Sequence, residues 1–326
     1  MRALIVSNML PDAAHPERGR FVRDQAQALA RLPDVEVELY EFPPGAPALA
    51  RAAAGRLRRR FAGARRRGQA TDQRWDVVHA HFGLTAWPAL VVPAGVRALT
   101  VHGTDVRHPR TRLATAAVLP LIDLLAAASA PLAAALPTST ARRRAQVLPC
   151  GVDIERFRPI PRERARAELE LDAEGPYVLF PADPARAGKR HDRALALAQA
   201  SGARLLSLGG VDPARVPLFV NAANAVCVPS ESEGFGLAVL EALACDIPVL
   251  ATPVGVHGEA LEGVQGTLCA PFDQPRWLAA LTPHLREHDP RVAGRASAER
   301  FSAQRMAERV RDAWRDALQR SGSRAG

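Results

Sequence analysis

Apolar and polar positions follow two rhythms along this chain. Short apolar runs, ALIVSN (3–8), VEVELYEF (35–42), WDVVHAH (75–81) and ALTVHG (98–103), are separated by stretches whose apolar residues recur at helical spacing, the first starting near Phe21. Such runs predict strands, and strands alternating with helices predict a parallel sheet covered on both faces. Around 144 to 160 the rhythm changes to a strand, a turn and a proline-punctuated linker, RAQVLPCGVDIERFRPIP. A second series follows: YVLFPA (177–182), ARLLSLG (203–209), ANAVCVPS (223–230) and IPVLAT (247–252). The pattern predicts two doubly wound α/β domains joined near residues 156–165. A last helix over 297–319 carries Phe301, Met306, Val310, Trp314 and Leu318 at helical spacing, an apolar face that must pack on something.

Composition narrows the picture. The 326 residues suit about two domains. No small-residue cleavage site follows MRALIVSNML, so a signal peptide is not expected. LATAAVLPLIDLLAAASAPLAAAL (113–136) is long enough for a membrane span, but it holds Asp123 and is broken by Pro120 and Pro131. A buried or interfacial helix pair is expected there. Cys150, Cys227, Cys245 and Cys269 form no CxxC pair, so reduced thiols in a cytoplasmic protein are expected. The net charge of +9 favours anionic partners without choosing among them.

The densest chemistry lies in ESEGFGLAVLE (231–241). The flanking pattern makes AVCVPS a strand, LAVLEALAC a helix and IPVLAT the next strand. Glu233-Gly234-Phe235-Gly236, with an aromatic expected to be exposed, is then the loop from a strand's carboxyl end to a helix N-terminus, where open parallel sheets bind ligands. Free N–H groups and the helix dipole suit phosphate there, and the glycines allow close approach. Glu233 in the loop and Glu241 in the helix are suited to sugar hydroxyls. A nucleotide sugar has hydroxyls on both sides of its phosphates. An ordinary strand–turn–helix with surface glutamates remains the bland alternative.

PSESEGFGLAVLEALACDIPVLATPVGVHGEAL resembles the signature of family 4 retaining glycosyltransferases, Glu-x7-Glu around Gly-Phe-Gly. GRFVRDQAQALAR (19–31), DVVHAHFG, TVHGTDV, VLPCGVDIERFRP and LFPADPARAGKR resemble further segments of that family, in its order and over most of the chain. The resemblance implies the GT-B fold: two Rossmann-like domains facing a cleft, with the C-terminal helix packing back on the N-terminal domain. The expected division is an acceptor-side domain over 1–158 plus the helix at 300–326, and a donor-binding domain over 159–299. Departures from the family pattern are Arg18-Gly19-Arg20 in the first loop, Cys150 before Gly-Val-Asp, Asp246 at a helix end and Val256 before the segment holding Glu259.

By resemblance, Glu241 binds the nucleotide ribose and Glu233 the donor sugar. Lys189 and Arg186 neutralise the diphosphate, with Arg190 a lesser candidate. The turn Gly234, Phe235, Gly236 and Leu237 hydrogen-bonds phosphate, Gly19 lies near the donor phosphates, and His102 near the transferred sugar. Asp105 and His81 are acceptor-side or secondary candidates, Asp105 equally a cap for the next turn. The implied reaction moves a sugar from a UDP- or GDP-linked donor to an acceptor hydroxyl of a glycan, lipid-linked sugar or small metabolite. It retains configuration and needs no metal or other cofactor, because cationic side chains take the metal's place; no Asp-x-Asp motif is present. Two other classes stay open: a metal-dependent hydrolase built on His79, His81 and His102, since His-x-His at a strand end is a ligand pattern, and a sugar-nucleotide-binding module without catalysis. RAAAGRLRRRFAGARRR (51–67) reads either as a basic amphipathic helix for peripheral contact with anionic membrane at its inner face, or as a solvated surface segment. Nucleic acid is not expected, because no stacking aromatics are interleaved there.

Overall fold

The computed structural model describes residues 1–52, 55 and 74–323. The chain forms two compact units. The first is built from Met1–Asp12, Arg18–Gly151 and the segment from Ala303 onward, the second from Ala13–Glu17 and Val152–Ser302.

In the first unit, β1 (Arg2–Ser7), β2 (Glu36–Glu41), β3 (Trp75–His81), β4 (Ala94–Val101), β5 (Leu124–Ala127) and β6 (Gln146–Val147) form a parallel sheet in the order β2-β1-β3-β4-β5-β6. β1, β3 and β5 are buried along almost their whole length, as strands covered on both faces must be. The helix Ala303–Gly322 belongs to this unit and packs on the helix Arg20–Ala30. Its Met306, Ala307, Val310 and Trp314 join Ile5, Val22 and Leu29 in one core.

Two expectations fail here. The stretch 113–136 is not a helix pair: it runs from the helix Pro109–Val118 through a single turn at Leu119–Leu121 and strand β5 to the short helix Ala130–Ala134. Leu124–Ala127 are buried on both faces, so they show no alternation, and their alanines read as helix-forming. The last helix is also not continuous over 297–319. It breaks between Arg295–Glu299 and Ala303–Gly322, where the Phe301 carbonyl accepts the Val152 amide at 2.9 Å and Val152 pairs with Ser302 as a bridge. Phe301 is therefore part of the second unit's packing. No helix among the described residues is long and apolar enough to cross a membrane. Most of the arginine-rich segment 51–67 lies outside the described residues.

The second unit holds a parallel sheet of β7 (Tyr177–Phe180), β8 (Arg204–Ser207), β9 (Ala225–Val228), β10 (Val249–Ala251) and β11 (Leu268–Cys269), in the order β11-β10-β9-β7-β8. Strand order reverses beside β7, so the loops leaving β7 and β9 lie next to each other at the carboxyl ends, where a crevice opens in folds of this kind. The unit is tied together by buried arginines as well as by apolar packing. Arg162 donates to the Ala223 and His288 carbonyls, and Arg166 donates to the Ala222 carbonyl and to the side chain of Asn224. The described cysteines are free thiols.

Candidate active site

In the second unit the loop after β7 carries Arg186, Lys189 and Arg190, and the loop after β9 carries Ser230, Glu231 and Glu233. The Glu231 amide donates to the Gly188 carbonyl at 3.0 Å and joins the two loops. Lys189 Nζ lies 2.7 Å from each carboxylate oxygen of Glu233, and Ser230 Oγ donates to Glu233 Oε1 at 2.7 Å. Burial alone would raise the Glu233 carboxyl. The charge of Lys189 and the hydrogen bonds from Lys189 and Ser230 outweigh it and hold the group below the usual carboxylate range. Arg190 is committed elsewhere: its guanidinium grips both oxygens of Asp192 at 2.8 and 2.6 Å and Glu231 at 2.7 Å. Arg186 stays exposed on the same turn as Lys189.

The helix Leu237–Ala244 begins immediately after Gly236, whose φ of 109° is left-handed. A Cβ on Gly236 would stand 2.5 Å from His257 Nε2, so both conformation and space demand glycine. Gly255 is held just as tightly, with φ 60° and a hypothetical Cβ 2.1 Å from the Phe235 carbonyl oxygen. The expectation of an exposed aromatic is wrong: Phe235 is buried, edge-on to Phe301 at 6.2 Å between centroids. That packing, with the Val256 amide donating to the Phe235 carbonyl at 2.7 Å, anchors the turn from below. Glu241 sits half-buried in the second turn of the helix.

In the first unit His79 and His81 on β3 share a sheet face with Thr100 on β4 and with His102 just past its end. His81 Nδ1 and His102 Nε2 are 2.9 Å apart, and His79 Nε2 lies 2.7 Å from Thr100 Oγ1. Trp314 Nε1 donates to His79 Nδ1 at 3.2 Å. Both nitrogens of His79 are therefore engaged, which leaves it none for a metal. Among the described residues no group of His, Cys, Asp or Glu is arranged to hold one. Desolvation pushes His79 down to about 3 and His81 well below its usual value. His102, only partly buried as a residue, moves the same way to about 3. Asp105 is fully buried and accepts backbone N–H bonds from Gly103 at 2.7 Å, His102 at 3.1 Å and Gly83 at 3.2 Å. Both its oxygens thus serve the backbone of the His102 turn, while burial raises its carboxyl to about 6. Gly19, at φ 67°, caps the helix Arg20–Ala30, and a Cβ there would stand 2.4 Å from the Met9 carbonyl oxygen. Phe21, two residues on, packs 4.7 Å from the His102 ring.

The structure thus gathers Lys189, Glu233 and the Gly236 turn in one place, and His81, His102, Asp105 and the Gly19 turn in another, with Arg190 paired to Asp192 and to Glu231 of the loop after β9. Sequence reasoning missed Ser230 and His257, which back the Glu233 loop, and Thr100 and Trp314, which hold His79. A lone Ser, Thr or Trp on a buried face carries no signal of its own, and His257 lies inside an otherwise apolar helical pattern.

Known proteins agree with this architecture. Residues 16–156 match the signature described as Glycosyltransferase Family 4, and residues 169–301 match Glycosyl transferases group 1. A D-inositol 3-phosphate glycosyltransferase of Segniliparus rotundus is 32% identical over 301 residues, covering 75% of this chain and 67% of the relative. The chain belongs to glycosyltransferase family 4. This glycosyltransferase also resembles the enzyme of the same name from Thermobispora bispora, at 29% identity over 76% of this chain and 72% of the relative. With the Mycobacterium avium enzyme of that name the match, 35% identical, spans 48% of this chain and 44% of the relative. Among solved structures, sucrose-phosphate synthase from Thermosynechococcus elongatus superposes with a TM-score of 0.68 at 19% identity, covering 98% of this chain and 100% of that one. HepE of Anabaena, solved with UDP and glucose, gives 0.65 at 16% identity, covering 96% and 98%. These likenesses establish the GT-B fold.

Proposed function

We propose that this glycosyltransferase takes a sugar from a nucleoside-diphosphate donor, UDP- or GDP-linked, and passes it to a hydroxyl of a sugar, polyol or lipid-linked acceptor with retention of configuration and without a metal. One observation carries the donor reading: the left-handed Gly236 turn opens a helix beside the Lys189–Glu233 pair, with Glu241 in the same helix. A helix N-terminus and a cation suit a diphosphate, and carboxylates at either side suit hydroxyls of ribose and hexose. The presence of UDP and glucose in the Anabaena neighbour supports the same donor class.

In this reading the bond from the sugar's anomeric carbon to the diphosphate oxygen breaks, and negative charge grows on the leaving group. Lys189, Arg186 and the N–H groups of the Gly234–Leu237 turn would take up such charge, Lys189 by turning from Glu233, and donors held in place lower a barrier where charge develops. The acceptor oxygen attacks from the face the diphosphate leaves, and its proton passes to the departing phosphate oxygen. On the first unit, His102 is the side chain that meets substrate. The names of the relatives from Segniliparus and Thermobispora make a phosphorylated polyol a reasonable acceptor, and the net charge of +9 suits an anionic one. Peripheral contact with anionic membrane through residues 51–67 is a further part of the proposal, tested by co-sedimentation with anionic vesicles.

Release of nucleoside diphosphate from a panel of UDP- and GDP-sugars, with and without EDTA, tests the core reading. Release from at least one donor, unchanged by EDTA, is expected. Turnover abolished by EDTA and restored by Mg²⁺ or Mn²⁺ overturns metal independence, and no release from any donor overturns the donor class.

A further inference from the structure

The histidines of the first unit form a chain in which each proton can be placed. Indole N–H only donates, so His79 Nδ1 must accept from Trp314. A neutral His79 then carries its proton on Nε2 and donates to Thr100 Oγ1. Between His81 Nδ1 and His102 Nε2, at 2.9 Å, one nitrogen must hold a proton and the other a lone pair. His81 Nε2 decides which. It is buried and has no hydrogen-bond partner among the described residues. If His102 donated, a neutral His81 would carry its proton on Nε2, leaving a buried N–H with nothing to accept it. If His81 donates, only a lone pair is left unused. Orphaned buried N–H groups are the rarer of the two.

We propose that His81 is a positioning residue that donates from Nδ1 to His102 Nε2 and thereby fixes His102 as a neutral donor through its own Nδ1. With Nε2 occupied, His102 has one nitrogen left for a ligand, and that nitrogen bears hydrogen. It can donate to an oxygen of the substrate, a sugar hydroxyl or a phosphate, and it cannot act there as a base. Asp105 holds the His102 backbone and the Phe21 ring packs on its side chain, so both orientation and proton are set before substrate arrives. The groups facing the pair are His79, stacked on His81 at 4.7 Å between centroids, and the Asp105 carboxylate beneath the His102 amide. The role in catalysis rests on the function proposed above; the tautomer does not.

The full chain, labelled with ¹⁵N-histidine, is examined at neutral pH by long-range ¹H–¹⁵N correlation. His102 is expected to show a protonated Nδ1 and an unprotonated Nε2; the reverse assignment overturns the proposal even in a protein that turns over no donor. Three variants extend the test. His81→Asn keeps a donor near the position of Nδ1 and should keep the His102 tautomer and most of kcat. His81→Asp offers only acceptors, should move the His102 proton to Nε2, and should lower kcat about tenfold, the scale of one hydrogen bond, with little change in KM. His81→Leu should lower kcat similarly. Equal losses in the Asn and Asp variants, with the tautomer unmoved, would show that His81 only fills space. If His81→Leu does not fold, the Asn and Asp pair and the wild-type spectrum still decide.

Discussion

Lys189 Nζ stands 2.7 Å from both carboxylate oxygens of Glu233, and Glu233 is the more buried partner, at 8% side-chain exposure against 20%. The two halves of the pair should therefore respond differently to mutation. Lys189→Met leaves a buried carboxylate without its cation, should destabilise the protein by about 1–3 kcal/mol, and should raise the Glu233 pKa. Glu233→Gln frees the lysine, so affinity for the bare nucleoside diphosphate should hold or rise while transfer from the full donor falls. Urea denaturation and calorimetry on both variants check this. Equal effects of the two on stability and on nucleotide affinity would count against it.

Glu241 is proposed to hold the ribose through charge-assisted hydrogen bonds, each worth about 1.5–3 kcal/mol. Glu241→Ala should weaken nucleoside-diphosphate binding by roughly 10- to 150-fold. Calorimetry with UDP and GDP measures it, and wild-type affinity in a folded variant would remove Glu241 from the donor site.

Gly236 in the turn and Gly255 packed against it, both left-handed, should tolerate no side chain. In Gly255→Ala the new methyl meets the Phe235 carbonyl, a backbone atom that cannot step aside, so a loss of about 1–3 kcal/mol is expected from strain alone. Gly236→Ala meets the His257 ring instead. Its partner His257→Ala should relieve part of the clash, and a double-mutant cycle by thermal or urea unfolding should show positive coupling. Purely additive losses would mean that the ring is not the obstacle.

Acid should unfold this protein earlier than its net charge suggests. His79, His81 and His102 are held neutral in the folded state far below the unfolded value of 6.5, so the unfolded chain binds more protons as pH falls below that value. His79 and His102 each then remove up to about 1.4 kcal/mol per pH unit over a window from 6.5 down to about 3, and His81 acts in the same direction. Asp105, raised to about 6 from 3.8, works against one ring between those two values, since there the folded state binds the extra proton. A net fall of stability between pH 6.5 and 4.5 is expected in denaturant titrations. A flat profile would show that the rings already carry charge in the fold.

Strands and turns were legible wherever burial writes itself as an apolar run. WDVVHAH coincides with β3 from Trp75 to His81, and the strand–turn–helix around Gly236 follows from pattern alone. β5 was not legible, because four small or aliphatic residues buried on both faces look the same in a helix as in a strand. The resemblance to a known family picked out Lys189 and Glu233 singly. Their pairing across 44 positions is a product of strand order, which local pattern does not encode. His257 and the proton order along the His79–His102 cluster depend on atoms a few ångströms apart across separate loops and strands, and only coordinates show them.

The return of the helix Ala303–Gly322 to the first unit has a consequence for synthesis. Its Trp314 and Met306 complete a core that starts with Ala3 and Ile5, yet the ribosome makes residues 152–302 in between. At about 5–20 residues per second, that interval lasts roughly 8–30 s. The second unit can close while the first waits with an open apolar groove along Ile5, Val22 and Leu29 and with His79 still lacking its indole. Until the helix Ala303–Gly322 emerges, the first unit therefore holds an incomplete core with apolar surface open to water, while the second already has every segment of its own.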